Sequence, residues 1–197
     1  MSTKRDLEFF YEMGCLRFLQ RTWKQFLGPN VQNITEHTFR VMWIALTLAK
    51  HEGVKNYEKI LKMALVHDIA ESRGAEVNYI SRQYVDRHEE MAVSEILKET
   101  SLGEEFIEIW HEYEKRECTE AKIIKDADTL DIDLELLEQE ATGHRLKSIW
   151  KQQRDEMVYN KLFTQSAKNF WKEIYNSNPH DWHLNARNRF NDGDWKN

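Results

Sequence analysis

The sequence is short of the residues that interrupt regular structure. Its 197 residues include 7 glycines and 2 prolines, whereas these two residue types average about 12 per cent of a globular chain. Little material is therefore present for tight turns, which disfavours a fold of many β-hairpins. The hydrophobic fraction of 41% is enough for one sizeable core, so disorder across the whole chain is excluded.

Cysteine, an excess of positive charge and long apolar runs are also lacking. Cys15 and Cys118 are the only cysteines, which excludes a disulfide framework and a thiolate zinc site and is typical of a reducing compartment. The net charge of −6 disfavours binding to a nucleic-acid polymer. No apolar run approaches the roughly 20 residues of a membrane span, and no signal peptide is visible. We therefore expect a cytoplasmic protein that binds neither nucleic-acid polymers nor membranes.

Apolar residues recur at helical spacing along almost the whole chain, which predicts an all-α fold. We expect residues 1–175 to form one helical bundle and residues 176–197, which mix polar and aromatic side chains, to form a tail over its surface. Asn33 and Glu36 have the spacing of a capping box, which marks the start of a helix that Gly53 closes. Residues 21–32 are expected to form a loop. Further helices are expected at residues 4–19, 57–72, 83–99, 103–115, 119–141, 144–159 and 163–175.

Polar residues stand at inward positions of two of these helices. His37 lies on the apolar face of its helix, and His67 and Asp68 directly follow the almost wholly apolar stretch 61–66. A buried, unpaired carboxylate costs several kcal/mol, and a divalent cation with histidine nitrogens and a carboxylate oxygen as ligands would offset that cost. Glu71 lies beside this pair on the helix surface. The alternative is structural, with His67 bonded to a carbonyl and Asp68 partly exposed.

A fourth ligand is expected from the acidic helix at residues 119–141. Asp126 and Asp128 flank its apolar stripe on opposite sides. Periodicity alone does not decide which of these two aspartates is the ligand, although it slightly favours Asp126. We expect Asp131 and Asp133, farther along, to lie on a solvated face.

Four segments, taken in order over residues 7–140, resemble one family. The pattern of His37, then His67-Asp68, then an aspartate about 60 residues later is similar to the signature of the HD-domain metal-dependent phosphohydrolases. The likeness is to their 5′-deoxynucleotidase branch in particular. The matching segments are residues 33–38, 64–71, 112–114 and 121–130.

The resemblance implies a compact helical bundle that holds one divalent metal ion, Mn²⁺, Co²⁺ or Mg²⁺. It places the last ligand at Asp128 rather than Asp126, and it makes Glu71 the acid/base residue. Some HD proteins hold a second metal through extra histidines, for which His88 and His111 are the candidates here. We expect both to have surface or packing roles. The implied metal ligands are His37, His67, Asp68 and Asp128.

The resemblance also implies substrate-binding residues. The family's Arg-Trp pair corresponds to Arg21 and Trp23, with Thr22 inserted, so Arg21 would clamp the phosphate and Trp23 would wall the nucleoside. A second family acid corresponds to Glu76, which is one methylene longer than the usual aspartate. The residue before it is Ala75, where the family has glycine.

The resemblance implies an enzyme that hydrolyses deoxynucleoside 5′-monophosphates to deoxynucleoside and phosphate. One alternative is an HD phosphohydrolase for nucleoside di- or triphosphates or modified nucleotides, with its pocket covered by tail residues such as Trp182, His183, Arg187 and Arg189. A second alternative is a helical module without catalysis, in which any metal is structural. The seven tryptophans and the resemblance predict a homodimer.

Overall fold

The computed structural model describes residues 3–184, and these residues form an α-helical bundle, which confirms the all-α prediction. Three short 3₁₀ turns, Leu16–Phe18, Ser81–Gln83 and Tyr159–Lys161, lie between the helices. The α-helices are α1 (Thr3–Cys15), α2 (Lys24–Leu27), α3 (Ile34–His51), α4 (Tyr57–Val66), α5 (Glu71–Gly74), α6 (Glu89–Leu97), α7 (Gly103–Lys115), α8 (Thr119–Ala141), α9 (Leu146–Met157), α10 (Gln165–Asn176) and α11 (Asp181–Leu184).

Helix α8 is the centre of the bundle. It packs against α3, α4, α7, α9 and α10, and α3 also packs against α4. Each fully buried aliphatic side chain of this core contributes about 1.5–3 kcal/mol of hydrophobic free energy. The resulting rigid contact of α3, α4 and α8 matters because these helices carry the histidines and aspartates of the site. Fully buried core residues include Val41 and Leu48 of α3, Ile60 and Met63 of α4, and Ile123 and Leu130 of α8.

The predicted capping box at the start of α3 is confirmed. The Asn33 side chain accepts a hydrogen bond from the Glu36 backbone N–H at 2.9 Å, and the Glu36 carboxylate accepts one from the Asn33 N–H at 2.9 Å. These bonds satisfy two amides that the helix leaves free. The box therefore fixes the first turn of α3, and His37 lies in that turn.

The predicted helix at residues 57–72 is interrupted, which corrects its boundary. Helix α4 ends at Val66, and residues 67–70 form tighter turns in which Ile69 N–H bonds Val66 C=O at 3.1 Å and Glu71 N–H bonds Asp68 C=O at 3.0 Å. Bonds between residues three apart are typical of 3₁₀ geometry. The tightened turn carries His67 and Asp68 at the end of α4.

Three other boundaries differ from expectation. The helix predicted from residue 83 begins only at Glu89, after the 3₁₀ turn Ser81–Gln83. The first helix continues past Cys15 only as a 3₁₀ turn, and the expected loop at residues 21–32 contains α2. The aromatic tail contains one helical turn, α11, which its polar composition did not predict. Residues 185–197, with Arg187 and Arg189, lie outside the described residues, so the tail remains a prediction.

Among residues 3–184, no helix combines the length and the apolar character that crossing a bilayer requires.

Candidate active site

Four side chains converge on one point between α3, the end of α4 and α8. The Nε2 atom of His37 lies 3.3 Å from Nε2 of His67, 3.4 Å from Oδ2 of Asp68 and 3.4 Å from Oδ1 of Asp128. The same Asp68 oxygen lies 3.3 Å from His67 Nε2. His37, His67 and Asp128 therefore place one ligand atom each within 4.8 Å of one another, and Asp68, the fourth side chain that the resemblance implied as a ligand, lies against both histidines.

This donor set fits a divalent cation. Metal–ligand bonds of roughly 2.0–2.2 Å place neighbouring ligand atoms roughly 3 Å apart, close to the separations observed. Burial and Arg21 both oppose protonation of His37, yet its hydrogen bonds with Asp128, Asp131 and Asp68 raise the pKa of the imidazole well above its usual value. The surrounding carboxylates thus draw positive charge into the cluster, and two of them offer oxygen ligands.

The outer nitrogen of each histidine is already bonded. His67 Nδ1 lies 2.7 Å from the Ala64 carbonyl oxygen, and His37 Nδ1 lies 2.6 Å from Oδ2 of Asp131. When each Nδ1–H donates to its acceptor, both Nε2 lone pairs face the cluster, which is the arrangement that metal-binding histidines adopt. Asp131 is held in turn by Arg40 Nε and, at 2.5 Å, by Gln32 Nε2.

The expectation of a solvated face for Asp131 and Asp133 is wrong, because both carboxylates are fully buried. Asp131 lies three residues after Asp128 and so shares its face of α8. That spacing is the signal that could have found it. Asp133 accepts hydrogen bonds from Arg154 at 2.5 and 2.6 Å, and from Trp171 and Tyr175 at 3.0 and 2.8 Å. Its role is to fasten α9 and α10 to α8.

The structure gives Asp126 and Asp128, between which periodicity did not decide, different surroundings. Asp126 accepts hydrogen bonds from the backbone amides of Phe163 and Thr164, at 2.9 and 2.8 Å, just before α10. Asp128 instead bonds Lys125 Nζ through Oδ2 at 2.7 Å, which leaves Oδ1 toward His37. Asp128 therefore belongs to the cluster and Asp126 lies outside it. Lys125 orients Asp128, a role that sequence reasoning did not assign.

Arg21 is buried beside the cluster. Its Nη1 lies 3.1 Å from Asp68 Oδ2 and 3.1 Å from Glu76 Oε1, and its Nη2 lies 4.0 Å from Asp128 Oδ1. Glu76 also accepts a hydrogen bond from the Thr22 backbone N–H. Arg21 Nε is buried with no hydrogen-bond partner. The guanidinium is thus held through Nη1, and its buried Nε–H is left without a partner.

Glu71 lies in the same cavity with one free oxygen. Its Oε1 is 3.8 Å from Arg87 Nη1, and its Oε2 is buried with no hydrogen-bond partner. Burial and the negative charges of Asp68 and Glu76 raise the pKa of Glu71 to about 9. At neutral pH this carboxyl group therefore carries a proton that it can give away.

Three predicted or candidate residues lie away from the cluster. The Trp23 ring packs edge-on against Trp150, with centroids 5.2 Å apart, and is not among the residues that line the cavity. Its role as a nucleoside wall stays a prediction. His88 is exposed, and the His111 ring packs on Trp110 at 5.3 Å. Neither histidine joins the metal-type cluster found among the described residues.

Ala75 takes the backbone conformation that its glycine counterpart in the family would adopt freely. Its φ of 55° and ψ of 158° lie close to a region used almost only by glycine. The turn that brings Glu76 to Arg21 is therefore strained in this chain.

The cluster opens into a cavity of about 200 Å³. Its lining contains five basic and six acidic side chains. The basic residues are Arg21, Arg82, Arg87, Arg116 and Lys125, and the acidic residues are Asp68, Glu71, Glu76, Glu89, Glu114 and Asp128.

Comparison with known proteins identifies the family of the chain. Residues 13–171 match the HD domain family. The 5′-deoxynucleotidase HDDC2 of Dictyostelium discoideum is 33% identical over 154 residues, which is 72% of this chain and 81% of that protein. The human 5′-deoxynucleotidase HDDC2 is 28% identical over 145 residues, 71% of this chain and 70% of that protein. A solved structure, a conserved hypothetical protein from Pyrococcus furiosus, superposes with a TM-score of 0.68 at 26% identity, covering 87% of this chain and 99% of that one.

The chain belongs to the HD-domain family. The resemblance seen in its motifs is confirmed, and the protein is a phosphohydrolase of that family. The range matched by the HD domain family, residues 13–171, contains His37, His67, Asp68 and Asp128, and the similarity to the proteins named 5′-deoxynucleotidase extends over most of their length.

Proposed function

We propose that this protein hydrolyses deoxynucleoside 5′-monophosphates to deoxynucleoside and phosphate, with one divalent metal ion held by His37, His67, Asp68 and Asp128. One observation carries the proposal. Among residues 3–184, the buried side-chain polar atoms without a hydrogen-bond partner are Arg21 Nε, Glu71 Oε2 and Arg116 Nη1. All three residues line the cavity beside the cluster.

These three atoms complement a phosphate ester and water. Buried polar groups are nearly always hydrogen-bonded, because leaving one unpaired costs about 1–3 kcal/mol. Two of the atoms are cationic N–H donors, which suit phosphate oxygens. The third belongs to a carboxyl group whose pKa is raised to about 9, which suits proton transfer. A structural metal would need none of them, so their presence favours catalysis over the non-catalytic module.

The charge of the cavity supports a monoester. With Glu71 protonated, the five basic side chains of the lining balance the remaining acidic ones. A divalent cation then leaves an excess of about two positive charges, and a phosphate monoester carries about −1.5 to −2 at pH 7. A triphosphate brings more negative charge than this lining neutralises.

The size of the cavity points the same way. Sites for whole drug-sized ligands are roughly 300–1,000 Å³, whereas this cavity is about 200 Å³. It therefore admits a phosphoryl group with its metal, and the nucleoside extends toward the mouth. The names of the relatives, 5′-deoxynucleotidases, agree with a nucleoside monophosphate as substrate.

The residues of the site have separate roles in the reaction. When bound, the divalent cation, for which the mixed nitrogen and oxygen ligands suit Mn²⁺, Co²⁺ or Mg²⁺, neutralises phosphate charge and activates water. Arg21 orients the phosphoryl group through its free Nε–H. One carboxylate oxygen of Glu76 contacts Arg21, and the other accepts a hydrogen bond from the Thr22 amide. We therefore assign Glu76 the role of positioning Arg21.

Glu71 carries the proton of the reaction. As the water oxygen bonds to phosphorus and the bond to the 5′-oxygen breaks, Glu71 gives its proton to that oxygen, which leaves as the deoxynucleoside hydroxyl. The carboxylate of Glu71 then takes up the proton released by the attacking water. The products are one deoxynucleoside and one phosphate, and Glu71 returns to its protonated form.

Compartment and assembly are part of the same proposal. Cys15 and Cys118 are both free thiols, which supports a reducing, cytoplasmic location. Exposed aromatic side chains on α3, Phe39 and Trp43, which pack against each other with ring centroids 6.4 Å apart, support a homodimer.

The test is a phosphate-release panel with Mn²⁺- or Co²⁺-loaded protein. We expect turnover with deoxynucleoside 5′-monophosphates and much less with the matching ribonucleotides and triphosphates. Preference for triphosphates would favour the first alternative. No phosphate released from any deoxynucleoside monophosphate would refute the proposal.

A further inference from the structure

Arg116 occupies a strained position at the end of α7. Its φ of 55° and ψ of 25° are left-handed, a conformation that glycine adopts freely and a branched or long side chain does not. The residue caps α7, with its backbone N–H bonded to the Tyr113 carbonyl at 3.2 Å. Glycine is the usual residue at such a cap, so the arginine side chain must have another reason to be there.

The Arg116 side chain lines the cavity, where its guanidinium stacks on an aromatic ring. Its central carbon lies 3.3 Å from the centroid of the Tyr113 ring, and that buried ring packs edge-on against His67 at 5.8 Å. Stacking of this kind fixes the plane of the guanidinium. Arg116 and the metal ligand His67 are therefore connected through one aromatic side chain.

The hydrogen bonds of Arg116 are incomplete. Nη2 donates to Glu114 Oε1 at 3.3 Å, a long bond to a partly exposed carboxylate. Nη1 is buried and has no hydrogen-bond partner. A strained backbone and an unpaired cationic donor in one residue are both unfavourable, and residues that keep such features cluster at ligand sites.

We propose that Arg116 is a second phosphate-binding residue, which donates Nη1–H to an oxygen of the substrate phosphoryl group. This inference rests on the proposed function, since it deepens the same site. Arg21 is surrounded by Asp68, Glu76 and Asp128, which compensate most of its charge. Arg116 faces only Glu114 as an ion-pair partner and so has more of its positive charge left for an anion.

The experiment titrates inorganic phosphate into the metal-loaded protein by calorimetry. Arg116→Gly removes the side chain and suits the left-handed backbone, and Arg116→Gln removes the charge while keeping much of the length. Glu99→Gly is the matched control, because Glu99 has a φ of 59° and is exposed away from the cavity. Both glycine variants should melt at a higher temperature than the wild type.

We expect both Arg116 variants to bind phosphate at least roughly tenfold more weakly, the effect of one charged hydrogen bond. Phosphate affinity should be unchanged in Glu99→Gly, and Mn²⁺ affinity unchanged in all three variants. The inference is overturned if either Arg116 variant binds phosphate like the wild type, if its Mn²⁺ affinity falls in parallel, or if the wild type binds no phosphate. Wild-type protein that binds phosphate but hydrolyses no deoxynucleoside monophosphate contradicts the proposed function alone.

Discussion

The Nδ1 atom of His37 lies 2.6 Å from a carboxylate oxygen of Asp131, and both side chains are fully buried. This pair couples α3 to α8 and sets the direction of the His37 lone pair. Partners of this kind are conserved features of metal sites because they fix both the tautomer and the ring orientation of the ligand. The consequences for metal binding and stability can be separated, because Asp133, another buried aspartate of α8, has a different partner, Arg154.

Replacing Asp131 by Asn should weaken metal binding. The neutral amide no longer holds His37 in the tautomer that presents Nε2, and loss of such an outer partner costs roughly 10–100-fold in affinity. Calorimetric titration of the metal-free protein with Mn²⁺ measures the change. An affinity equal to that of the wild type would show that the Asp131–His37 bond is structural only.

Asp133→Asn is the matched control and should act on stability instead. It breaks the buried pair with Arg154, and removing one member of a buried ion pair costs about 3–5 kcal/mol. The free energy of unfolding should fall by that amount in denaturant titrations, with Mn²⁺ affinity of the folded protein kept. A loss of metal affinity as large as that of Asp131→Asn would count against the separation of roles.

Two aspartates two residues apart on α8 test the ligand assignment. Asp128→Asn should abolish stoichiometric metal binding, because it removes an oxygen from the cluster. Asp126→Asn should keep the metal and lower the free energy of unfolding by about 0.5–2 kcal/mol, the range for a lost helix cap, since Asp126 holds the start of α10. Metal analysis and thermal melts on the same samples decide the matter. The reverse pattern would make Asp126 the ligand.

Glu71→Gln should lower kcat by roughly 10²–10⁴-fold with metal content unchanged, because the amide can neither give nor take the proton. The wild-type rate should also fall as pH rises. The acid form of Glu71 is present below its pKa of about 9, and a bound cation lowers that pKa, so the decline should begin below pH 9. A pH–rate profile of both proteins provides the measurement. An identical alkaline limb in Glu71→Gln would assign that limb to another group.

Ala75→Gly should stabilise the protein. Ala75 has a φ of 55° and a ψ of 158°, and a residue other than glycine in this region costs about 1–3 kcal/mol. Thermal denaturation should therefore shift upward. Ala121→Gly, within α8, is the control. Its free energy of unfolding should fall by about 1 kcal/mol, and its melting temperature should fall with it. Equal downward shifts in both variants would show that Ala75 is not strained.

Much of the site was predictable because its residues contradict their local environment. His37 and the pair His67-Asp68 are polar residues on apolar helix faces, and such positions require a partner wherever the helices pack. The capping box was predictable for a similar reason, since both of its hydrogen bonds are local. These features depend on neighbours within a few residues, and a sequence displays those directly.

The remaining features depend on residues far apart in the chain. Asp131 looks solvated on a helical wheel because its partner, His37, is 94 residues away. The ring of Trp23 packs against Trp150 of α9, a contact between residues far apart in the chain. The break after Val66 consists of tight turns that carry His67 and Asp68, and the apolar periodicity of residues 57–72 does not display it. These features depend on tertiary packing, which the local sequence pattern does not show.

The central claim is that one metal ion in the His37, His67, Asp68 and Asp128 cluster enables phosphate release from a deoxynucleoside monophosphate. It is tested most directly by titrating metal-free protein with Mn²⁺ while phosphate release from a deoxynucleoside 5′-monophosphate is followed. The account predicts no release without metal and a rate that rises to a plateau at about one ion per chain. Undiminished release by the chelated protein, or no release at any Mn²⁺ concentration, would contradict it.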